Sequence, residues 1–262
     1  MKAVRPKKSL GQHFLKDLQI AQQIAATVSP YDGIPVLEVG PGMGVLTQFL
    51  LQNKANLSVV ELDWESISYL LKHYPELKDK IIADDFLTLD LDKLFADKFC
   101  VIGNYPYNIS TQIFFKILDF REKVCFCSGM IQKEVAERIA SKPGKKAYGI
   151  ISVLLQAWYD IEYLFTVDAK VFDPPPKVQS AVVQLTRNNR TSLGCDERFF
   201  KIVVKTAFNQ RRKTMRNSLQ PLLGKGAPIF SLPVFALRPE QLSVEEFVEL
   251  TNLVKENMPK QQ

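Results

Sequence analysis

The chain has 262 residues, of which 46% are hydrophobic, 24% charged and 10% aromatic. These proportions are typical of a globular protein with a sizeable core, and they exclude a disordered chain, a collagen-like repeat and a small disulfide scaffold. Lys and Arg number 34 against 28 Asp and Glu, which gives a formal net charge of +6 at pH 7.

Neither a targeting segment nor a membrane span is predicted. Residues 1–16 carry five basic residues and no acid, but they lack the Ser-rich amphipathic character of a transit peptide. Aliphatic runs such as Ile150–Leu155 are too short to span a bilayer. The four cysteines lie mostly in apolar runs, and no zinc-ligand spacing is present. We therefore expect reduced core thiols, no metal site and a cytoplasmic protein.

Short apolar, β-branched runs alternate with helical patterns over the first two thirds of the chain. This alternation predicts a mostly parallel sheet with helices on both faces. The last two strands are joined by a proline-rich segment that is too short for a crossover helix, so we expect them to pair antiparallel. The seven predicted strands are Pro35–Val39, Leu57–Glu61, Lys80–Ala83, Phe99–Gly103, Val124–Ile131, Ile161–Val167 and Val178–Thr186.

The strand signal stops after Thr186, and the polar residues 187–194 are predicted to be a linker. A helix is predicted over Asp196–Leu219, and another begins at Ser243 with a capping box to Glu246. The first of these helices has an apolar stripe and a basic face. The stripe is Phe200, Val203, Val204, Ala207 and Phe208, and the basic face is Lys201, Lys205, Arg212 and Arg216. We therefore predict an α/β domain over residues 1–186 and a small all-α domain over residues 187–262.

The positive charge is concentrated near the start of the second domain. Residues 187–225 hold ten basic and two acidic residues, which leaves a slight excess of acids in the rest of the chain. This asymmetry favours a polyanionic partner at one end of the protein. Charge alone leaves a solvated surface as an equal alternative.

A glycine-rich turn follows the first predicted strand, in the sequence Val36-Leu-Glu-Val-Gly-Pro-Gly-Met-Gly-Val-Leu-Thr47. Gly40, Gly42 and Gly44 allow the backbone to approach a ligand closely. The turn lies at the carboxyl end of a strand, where open α/β sheets bind ligands. Its G-x-G-x-G spacing differs from the dinucleotide fingerprint G-x-G-x-x-G, so the turn alone is weak evidence for a nucleotide.

Acids follow the next two strands. Glu61 ends the second strand, where a carboxylate suits the two hydroxyls of a ribose. Asp85 follows the third strand, where it can accept a hydrogen bond from an adenine amine. An acidic rim without Lys or Arg disfavours a polyphosphate, so the cationic S-adenosylmethionine fits better than NAD. A solvated acid at a strand end is the alternative for either residue taken alone.

The fourth strand ends in Gly103-Asn-Tyr-Pro-Tyr-Asn-Ile-Ser-Thr111, the most specific motif of the chain. The exocyclic amine of adenine is a poor nucleophile because its lone pair is delocalised into the ring. The oxygen of Asn104 and the carbonyl of Tyr105 or Pro106 can accept hydrogen bonds from its two N–H groups, while Tyr107 stacks on the base. A plain turn is the alternative interpretation of this motif.

With these motifs the sequence resembles the ribosomal RNA adenine dimethyltransferases over nearly its whole length. The resemblance is carried by Lys8-Ser-Leu-Gly-Gln-His-Phe-Leu15, Glu38–Gly44, Glu61-Leu-Asp63, Asp85, Asn104–Tyr107, Phe172-Asp-Pro-Pro-Pro-Lys-Val178 and Ala207-Phe-Asn-Gln-Arg-Arg-Lys-Thr214. It implies a Rossmann-like methyltransferase domain with a seven-stranded sheet that contains one antiparallel strand. It also implies that S-adenosylmethionine is the methyl donor and S-adenosylhomocysteine the product.

The resemblance assigns roles to individual residues. The predicted cofactor-binding residues are Gln12, His13, Leu15, Gly40, Gly42, Gly44, Glu61, Leu62, Asp85, Phe86 and Asn104. The predicted catalytic residues are Asn104, Tyr105, Pro106, Tyr107 and Phe172, with Phe172 facing the target base opposite Tyr107. The predicted RNA-binding residues are Lys177, Lys205, Arg211, Arg212, Lys213 and Arg216. The basic segment 1–16 is expected to contribute to the cofactor site.

One position departs from the family pattern. Position 105 is Tyr, where the family usually has an aliphatic residue. Since the predicted contact there is a main-chain carbonyl, we do not expect the departure to impair catalysis.

The tripled proline and the Arg-Arg-Lys-Thr segment favour the branch that dimethylates two adjacent adenines in the hairpin loop near the 3′ end of small-subunit (16S) rRNA. The expected partners are this rRNA and the assembling small subunit, without a membrane, and the protein is expected to be a monomer. Three alternatives stay open: the large-subunit branch that confers antibiotic resistance, an RNA-binding assembly factor without turnover, and an NAD-dependent dehydrogenase.

Overall fold

The protein is described here by a computed structural model that covers residues 4–259. Residues 1–3 of the first predicted domain and residues 260–262 of the second lie outside this range. The chain forms two compact units. One unit comprises the chain up to Ala136 together with Asp160–Arg187, and the other comprises Glu137–Tyr159 together with the chain from Asn188 onward. The predicted domains differ from these units in two respects, because residues 137–159 belong to the second unit and residue 187 belongs to the first.

Nine strands and eleven α-helices are present among the described residues. The strands are β1 Phe14–Leu15, β2 Val36–Val39, β3 Leu57–Val60, β4 Ile81–Ile82, β5 Phe99–Asn104, β6 Val124–Gln132, β7 Tyr159–Val167, β8 Phe172–Asp173 and β9 Ser180–Arg187. The helices are α1 Leu18–Ala26, α2 Thr47–Gln52, α3 Trp64–His73, α4 Leu91–Leu94, α5 Ser110–Asp119, α6 Lys133–Ile139, α7 Ile150–Gln156, α8 Glu197–Asn209, α9 Met215–Ser218, α10 Gln220–Leu223 and α11 Val244–Glu256. All seven strands of the sequence analysis are confirmed, with ends within two residues of those predicted.

Seven strands form one sheet in the order β4-β3-β2-β5-β6-β9-β7. Strands β2 to β6 run parallel, and β9 is antiparallel to β6. Successive strands are added to one side of β2 and then, from β5, to the other, so the order reverses between β2 and β5. Ligands of open α/β sheets bind at this switch point, outside the carboxyl ends of the strands. The Rossmann-like fold is therefore confirmed, and it positions the motifs after β2, β3, β4 and β5 on one edge.

The core of the first unit lies on both faces of this sheet. Strands β2 and β5 are apolar almost throughout, because a parallel sheet covered on both faces is buried on both sides. A separate two-stranded ribbon joins the N-terminal segment to the proline-rich loop: β1 pairs antiparallel with β8, with Leu15 opposite Phe172. Both of these side chains are buried. The ribbon therefore attaches residues far apart in sequence to the same core.

The second unit is helical, but its long helix is shorter than predicted. The apolar stripe of α8 is buried as expected. The helix ends at Asn209, however, because Gln210 leaves helical geometry at φ −120° and ψ 53°, and Thr214 is extended before α9 begins. The prediction of one helix over Asp196–Leu219 is therefore wrong. Basic residues 211–213 lie in the intervening turn, where a four-residue spacing does not place side chains on one face. The capping box of Ser243 and Glu246 at the start of α11 is confirmed.

Close packing of β5 against β6 depends on a pair of glycines. Gly103 and Gly129 are partners across the two strands, and a Cβ on Gly129 would overlap the carbonyl oxygen of Gly103 and the ring of Tyr105. We expect Gly129→Ala to lower the free energy of unfolding by about 1 to 3 kcal/mol or more, as overpacking does. Urea denaturation would measure this. Gly149→Ala is the control, since the nearest atom to its Cβ is 4.0 Å away. Equal stability of the two variants would contradict the packing argument.

Candidate active site

A cavity of about 300 Å³ opens at the carboxyl ends of β2, β3, β4 and β5. Its wall combines the N-terminal segment with the loops that follow these four strands. The segments that line it are Leu10–Leu15, Glu38–Met43, Val45–Leu46, Val60–Leu62, Asp84–Phe86 and Asn104–Ile109. The structure therefore brings together motifs that are up to about 90 residues apart in the chain.

Most of the residues predicted for the site line this cavity. Of the predicted cofactor residues, Gly44 is the exception, because it packs against the ring of Tyr74. Of the predicted catalytic residues, Phe172 is the exception. It is 0% exposed and belongs to the core cluster that contains Leu15. The pairing of β8 with β1 places its ring in this core, so the structure does not support the predicted contact of Phe172 with a target base.

The glycine loop is joined to β3 by Glu61. One carboxylate oxygen accepts a hydrogen bond from the main-chain N–H of Gly42 at 3.0 Å. The other accepts from the N–H groups of Leu62 and Asp63, both at 2.9 Å. Burial raises the pKa of Glu61, and these three hydrogen bonds oppose that rise. Glu61 thus shapes the loop that lines the cavity, and its remaining lone pairs are able to accept hydrogen bonds from a ligand.

A second buried acid lies in the same wall. Glu38 is 1% exposed, and its carboxylate accepts a hydrogen bond from the hydroxyl of Thr47 at 2.7 Å. Burial raises the pKa of Glu38 to about 8, and the bond from Thr47 opposes this rise only in part. Glu38 was not among the residues predicted for the site, although an acid inside the apolar run of β2 was the available signal. A cation bound in the cavity would favour its charged form.

Polar contacts at two points hold the N-terminal segment in the wall of the cavity. Lys7 forms an ion pair with Asp63, and Gln12 donates a hydrogen bond to the same carboxylate at 3.3 Å. Farther along, the side-chain amide of Asn104 donates to the main-chain carbonyl of His13 at 3.1 Å. The second contact orients a predicted catalytic residue. With its nitrogen engaged by His13, Asn104 has its oxygen left to accept a hydrogen bond.

Tyr107 is held by a residue that the sequence analysis missed. Its hydroxyl forms a hydrogen bond with the hydroxyl of Ser180, which is fully buried at the start of β9. Its ring lies 5.3 Å from that of His13. Burial raises the pKa of Tyr107, and the bond to Ser180 opposes the rise. Ser180 comes from a strand more than 70 residues away, so no local pattern in the sequence connects the two.

The side chain of Tyr105, the departure from the family pattern, is buried and hydrogen-bonded. Its side chain is 1% exposed, its hydroxyl donates to the carbonyl of Ser128 at 2.9 Å, and its ring packs edge-on against Phe114. Its main-chain N–H donates to Met130 at 3.0 Å. The buried ring and the main-chain N–H of Tyr105 thus anchor the backbone beside Asn104.

The loop that carries Asp85 and Phe86 is held by a lysine. The ammonium of Lys116 donates to the carbonyls of Leu87, at 3.0 Å, and of Leu89. It also lies 5.4 Å from the centre of the Phe86 ring. Lys116 therefore supports this part of the wall from α5, which no spacing in the sequence indicated.

The basic residues predicted to bind RNA fall into two groups. Lys177, Lys205, Arg212 and Lys213 are exposed. Arg211, which is half-buried, and Arg216, which is exposed, donate to main-chain carbonyls, Arg216 to that of Phe230 at 2.9 Å. Among residues 4–259, the structure contains no helix that could span a membrane and no group of acid, His and Cys side chains that could hold a metal.

Glu38 predicts a pH dependence of stability. Because its pKa is about 8 in the folded protein and near 4.5 in the unfolded chain, the folded state binds more protons between these values. Stability should then fall as the pH rises through this window, by at most about 1.4 kcal/mol per pH unit from this group. We expect Glu38→Gln to remove that loss, so that the variant gains stability relative to wild type as the pH rises from 4.5 to about 8 and keeps this gain at higher pH. Urea unfolding of both proteins across the window measures the difference; a constant difference would contradict the assignment.

The sequence matches a known family model and named relatives. The family model described as ribosomal RNA adenine dimethylase matches residues 3–253. Two relatives named ribosomal RNA small subunit methyltransferase A are 67% identical over 261 residues, in Parabacteroides distasonis, and 63% identical over 257 residues, in Bacteroides thetaiotaomicron. The first alignment covers 100% of this chain and 98% of the relative, and the second covers 98% and 96%.

Two solved structures share the fold. A dimethyladenosine transferase from Plasmodium falciparum aligns with a TM-score of 0.78 at 23% identity, over 94% of this chain and 98% of its own. The 23S rRNA methyltransferase ErmE aligns with a TM-score of 0.68 at 23% identity, over 91% and 99%. The family model matches nearly the whole chain, and the relatives from Parabacteroides and Bacteroides are 67% and 63% identical to it. The chain therefore belongs to the ribosomal RNA adenine dimethylase family.

Proposed function

We propose that this protein dimethylates the N6 amines of two adjacent adenosines in the hairpin loop near the 3′ end of small-subunit rRNA, with S-adenosylmethionine as methyl donor. The observation that carries the proposal is the placement of Asn104–Tyr107 on the cavity wall, with the amide of Asn104 oriented by the carbonyl of His13. The relatives that are named small subunit methyltransferases support the choice of substrate. The proposed setting is the cytoplasm, where rRNA is available to a monomeric enzyme.

The cavity suits a cationic nucleoside. Glu38, Glu61 and Asp85 lie in its wall, and within residues 4–259 neither Lys nor Arg lines it. A dinucleotide would need a cation or a matching glycine spacing for its pyrophosphate, so the wall disfavours NAD. Glu61 and Asp85 would hold the ribose and the adenine of the cofactor, and Leu62 and Phe86 supply apolar surface beside them. When bound, S-adenosylmethionine supplies an electrophilic methyl group and leaves as S-adenosylhomocysteine.

The residues after β5 would activate the target amine. The oxygen of Asn104 and the carbonyl of Tyr105 would accept hydrogen bonds from its two N–H groups. These bonds would draw the nitrogen toward tetrahedral geometry and free its lone pair. Between the two carbonyls that the sequence left open, the structure favours that of Tyr105. The carbonyl of Pro106 already accepts the N–H of Ile109 at 3.2 Å.

Positioning supplies most of the proposed rate enhancement. Tyr107, held through Ser180, stacks on an adenine that has been splayed from an RNA loop. Orienting two bound reactants can lower a barrier by about 7 to 11 kcal/mol. The methylated amine is acidic enough to release its proton to water, so no strong base is needed. The transfer would occur twice at each adenosine.

The proposal is tested by mapping the methyl groups. Purified protein is incubated with labelled S-adenosylmethionine and either unmethylated small ribosomal subunits or large-subunit rRNA, and the modified adenosines are located by mass spectrometry. We expect two dimethylated adenosines in the small-subunit hairpin. Modification of large-subunit rRNA would support the other branch of the family, and binding without methylation would support an assembly factor.

Glu61 gives a prediction about the cofactor. We expect Glu61→Ala to weaken S-adenosylmethionine binding by about 1.5 to 3 kcal/mol, the usual value for hydrogen bonds to a charged group. The loss should include the effect of a loosened Gly42 loop, so Glu61→Gln, which keeps one acceptor, should fall between Glu61→Ala and wild type. Calorimetric titration measures the affinities. Unchanged affinity in folded Glu61→Ala would remove the ribose assignment.

Asn104 and Tyr107 should have separable effects. Asn104→Ala should reduce turnover far more than RNA affinity, because its acceptor matters most as the amine becomes tetrahedral in the transition state. Tyr107→Ala should reduce both, since stacking on a base contributes about 1 to 3 kcal/mol. Single-turnover rates and RNA dissociation constants distinguish the two variants. A wild-type single-turnover rate in Asn104→Ala would exclude the amine-activating role.

A further inference from the structure

The structure joins two basic segments of the second unit that lie far apart in sequence. One is the loop Lys142–Lys146, which the sequence analysis placed in the methyltransferase domain and did not consider for RNA binding. The other is the turn Arg211–Lys213, between α8 and α9. The guanidinium of Arg211 donates to the main-chain carbonyls of Lys145, at 3.5 Å, and of Lys146. We refer to these two segments together as the paired basic loops.

Other contacts fix the paired basic loops to their unit. The N–H of Gly144 donates to the carbonyl of Glu240 at 2.7 Å, and the N–H of Tyr148 donates to that of Lys145 at 3.1 Å. At the start of the loop, Gln156 donates to the carbonyls of Ile139 and Ser141, at 2.9 and 2.8 Å. Hydrogen bonds therefore hold the lysine loop on both sides, and its shape does not depend on its exposed side chains.

The positively charged side chains of the paired basic loops are free to bind an anion. Lys142, Lys145, Lys146, Arg212 and Lys213 are exposed, and none of these five side chains forms an ion pair within residues 4–259. The carboxylate of Glu240 lies 4.0 Å from the guanidinium of Arg211, so it offsets the charge of the connecting arginine and not that of the loops. The result is five unpaired positive charges on two adjoining segments.

We propose that the paired basic loops form one phosphate-binding surface for rRNA, in which Arg211 is a positioning residue and the five exposed side chains contact the phosphates. The inference rests on the proposed function, which supplies RNA as the polyanion. A membrane partner is disfavoured, because neither segment contains a large apolar side chain to insert beside its cations. Four of the five cations are lysines, flexible point charges that suit the sugar–phosphate backbone better than the fixed geometry of a base edge.

The test is the salt dependence of binding to transcribed small-subunit rRNA. Neutralising phosphates releases counter-ions, so log affinity falls linearly with log salt, with a slope of about −0.7 to −0.9 per contact. We expect the triple variant Lys142→Gln, Lys145→Gln, Lys146→Gln to flatten this slope by about 2 to 3. The matched control, Lys78→Gln, Lys80→Gln, Lys98→Gln, removes the same charge from exposed positions of the first unit. It should keep the wild-type slope.

Equal slopes for the two triple variants would overturn the inference. Failure of the proposed function is recognised separately, by wild-type protein that binds rRNA but transfers no methyl groups to it. The role of Arg211 has its own measurement. Arg211→Gln should accelerate trypsin cleavage after Lys145 and Lys146, because the loop loses its two hydrogen bonds, and Arg211→Lys should restore resistance only in part. A flattened slope in Arg211→Gln without faster cleavage would make Arg211 a direct phosphate ligand and overturn its positioning role.

Discussion

The carboxylate of Glu61 accepts three main-chain hydrogen bonds, from one residue after β2 and two residues after β3. These bonds hold the glycine loop against the end of the neighbouring strand at the switch point of the sheet. Loop N–H groups at such a point otherwise lose hydrogen bonds to water when the cavity forms, at a cost of about 1 to 3 kcal/mol each. One side chain therefore maintains the shape of the cavity and provides the acceptor proposed for the ribose.

The electrostatic cost of this arrangement determines the kind of ligand that relieves it. Glu38 and Glu61 are both desolvated, and burial raises the pKa of each. A carboxylate in such a place is stabilised by an opposite charge or by a proton. No cation in the described cavity wall supplies the charge. A bound sulfonium would supply it, so we expect the two buried acids to contribute to the binding of this class of cofactor.

The sequence predicts those parts of the molecule that depend on neighbouring residues. β-Branched runs identify all seven strands of the main sheet, and strand ends place Gly40, Glu61 and Asn104 on one edge. Contacts between distant residues were missed, as with Ser180 beneath Tyr107. The helix over Asp196–Leu219 was predicted too long because basic residues recur at helical spacing, at Arg212 and Arg216, past the turn that ends α8. Residues 137–159 were assigned to the first domain because their helical pattern gives no sign of the unit against which it packs.

The sequence also does not show which basic residues bind a partner and which ones stabilise the fold. A count of basic residues treats Arg and Lys alike, whereas a guanidinium has five donors in a rigid plane and readily holds main-chain carbonyls. Arg211 and Arg216 do this, so part of the basic character of residues 187–225 supports the fold of the second unit. Lysines without such contacts keep their charge at the surface. Loss of RNA binding after removal of Arg211 would therefore combine a structural effect with an electrostatic one, and lysine substitutions isolate the electrostatic part.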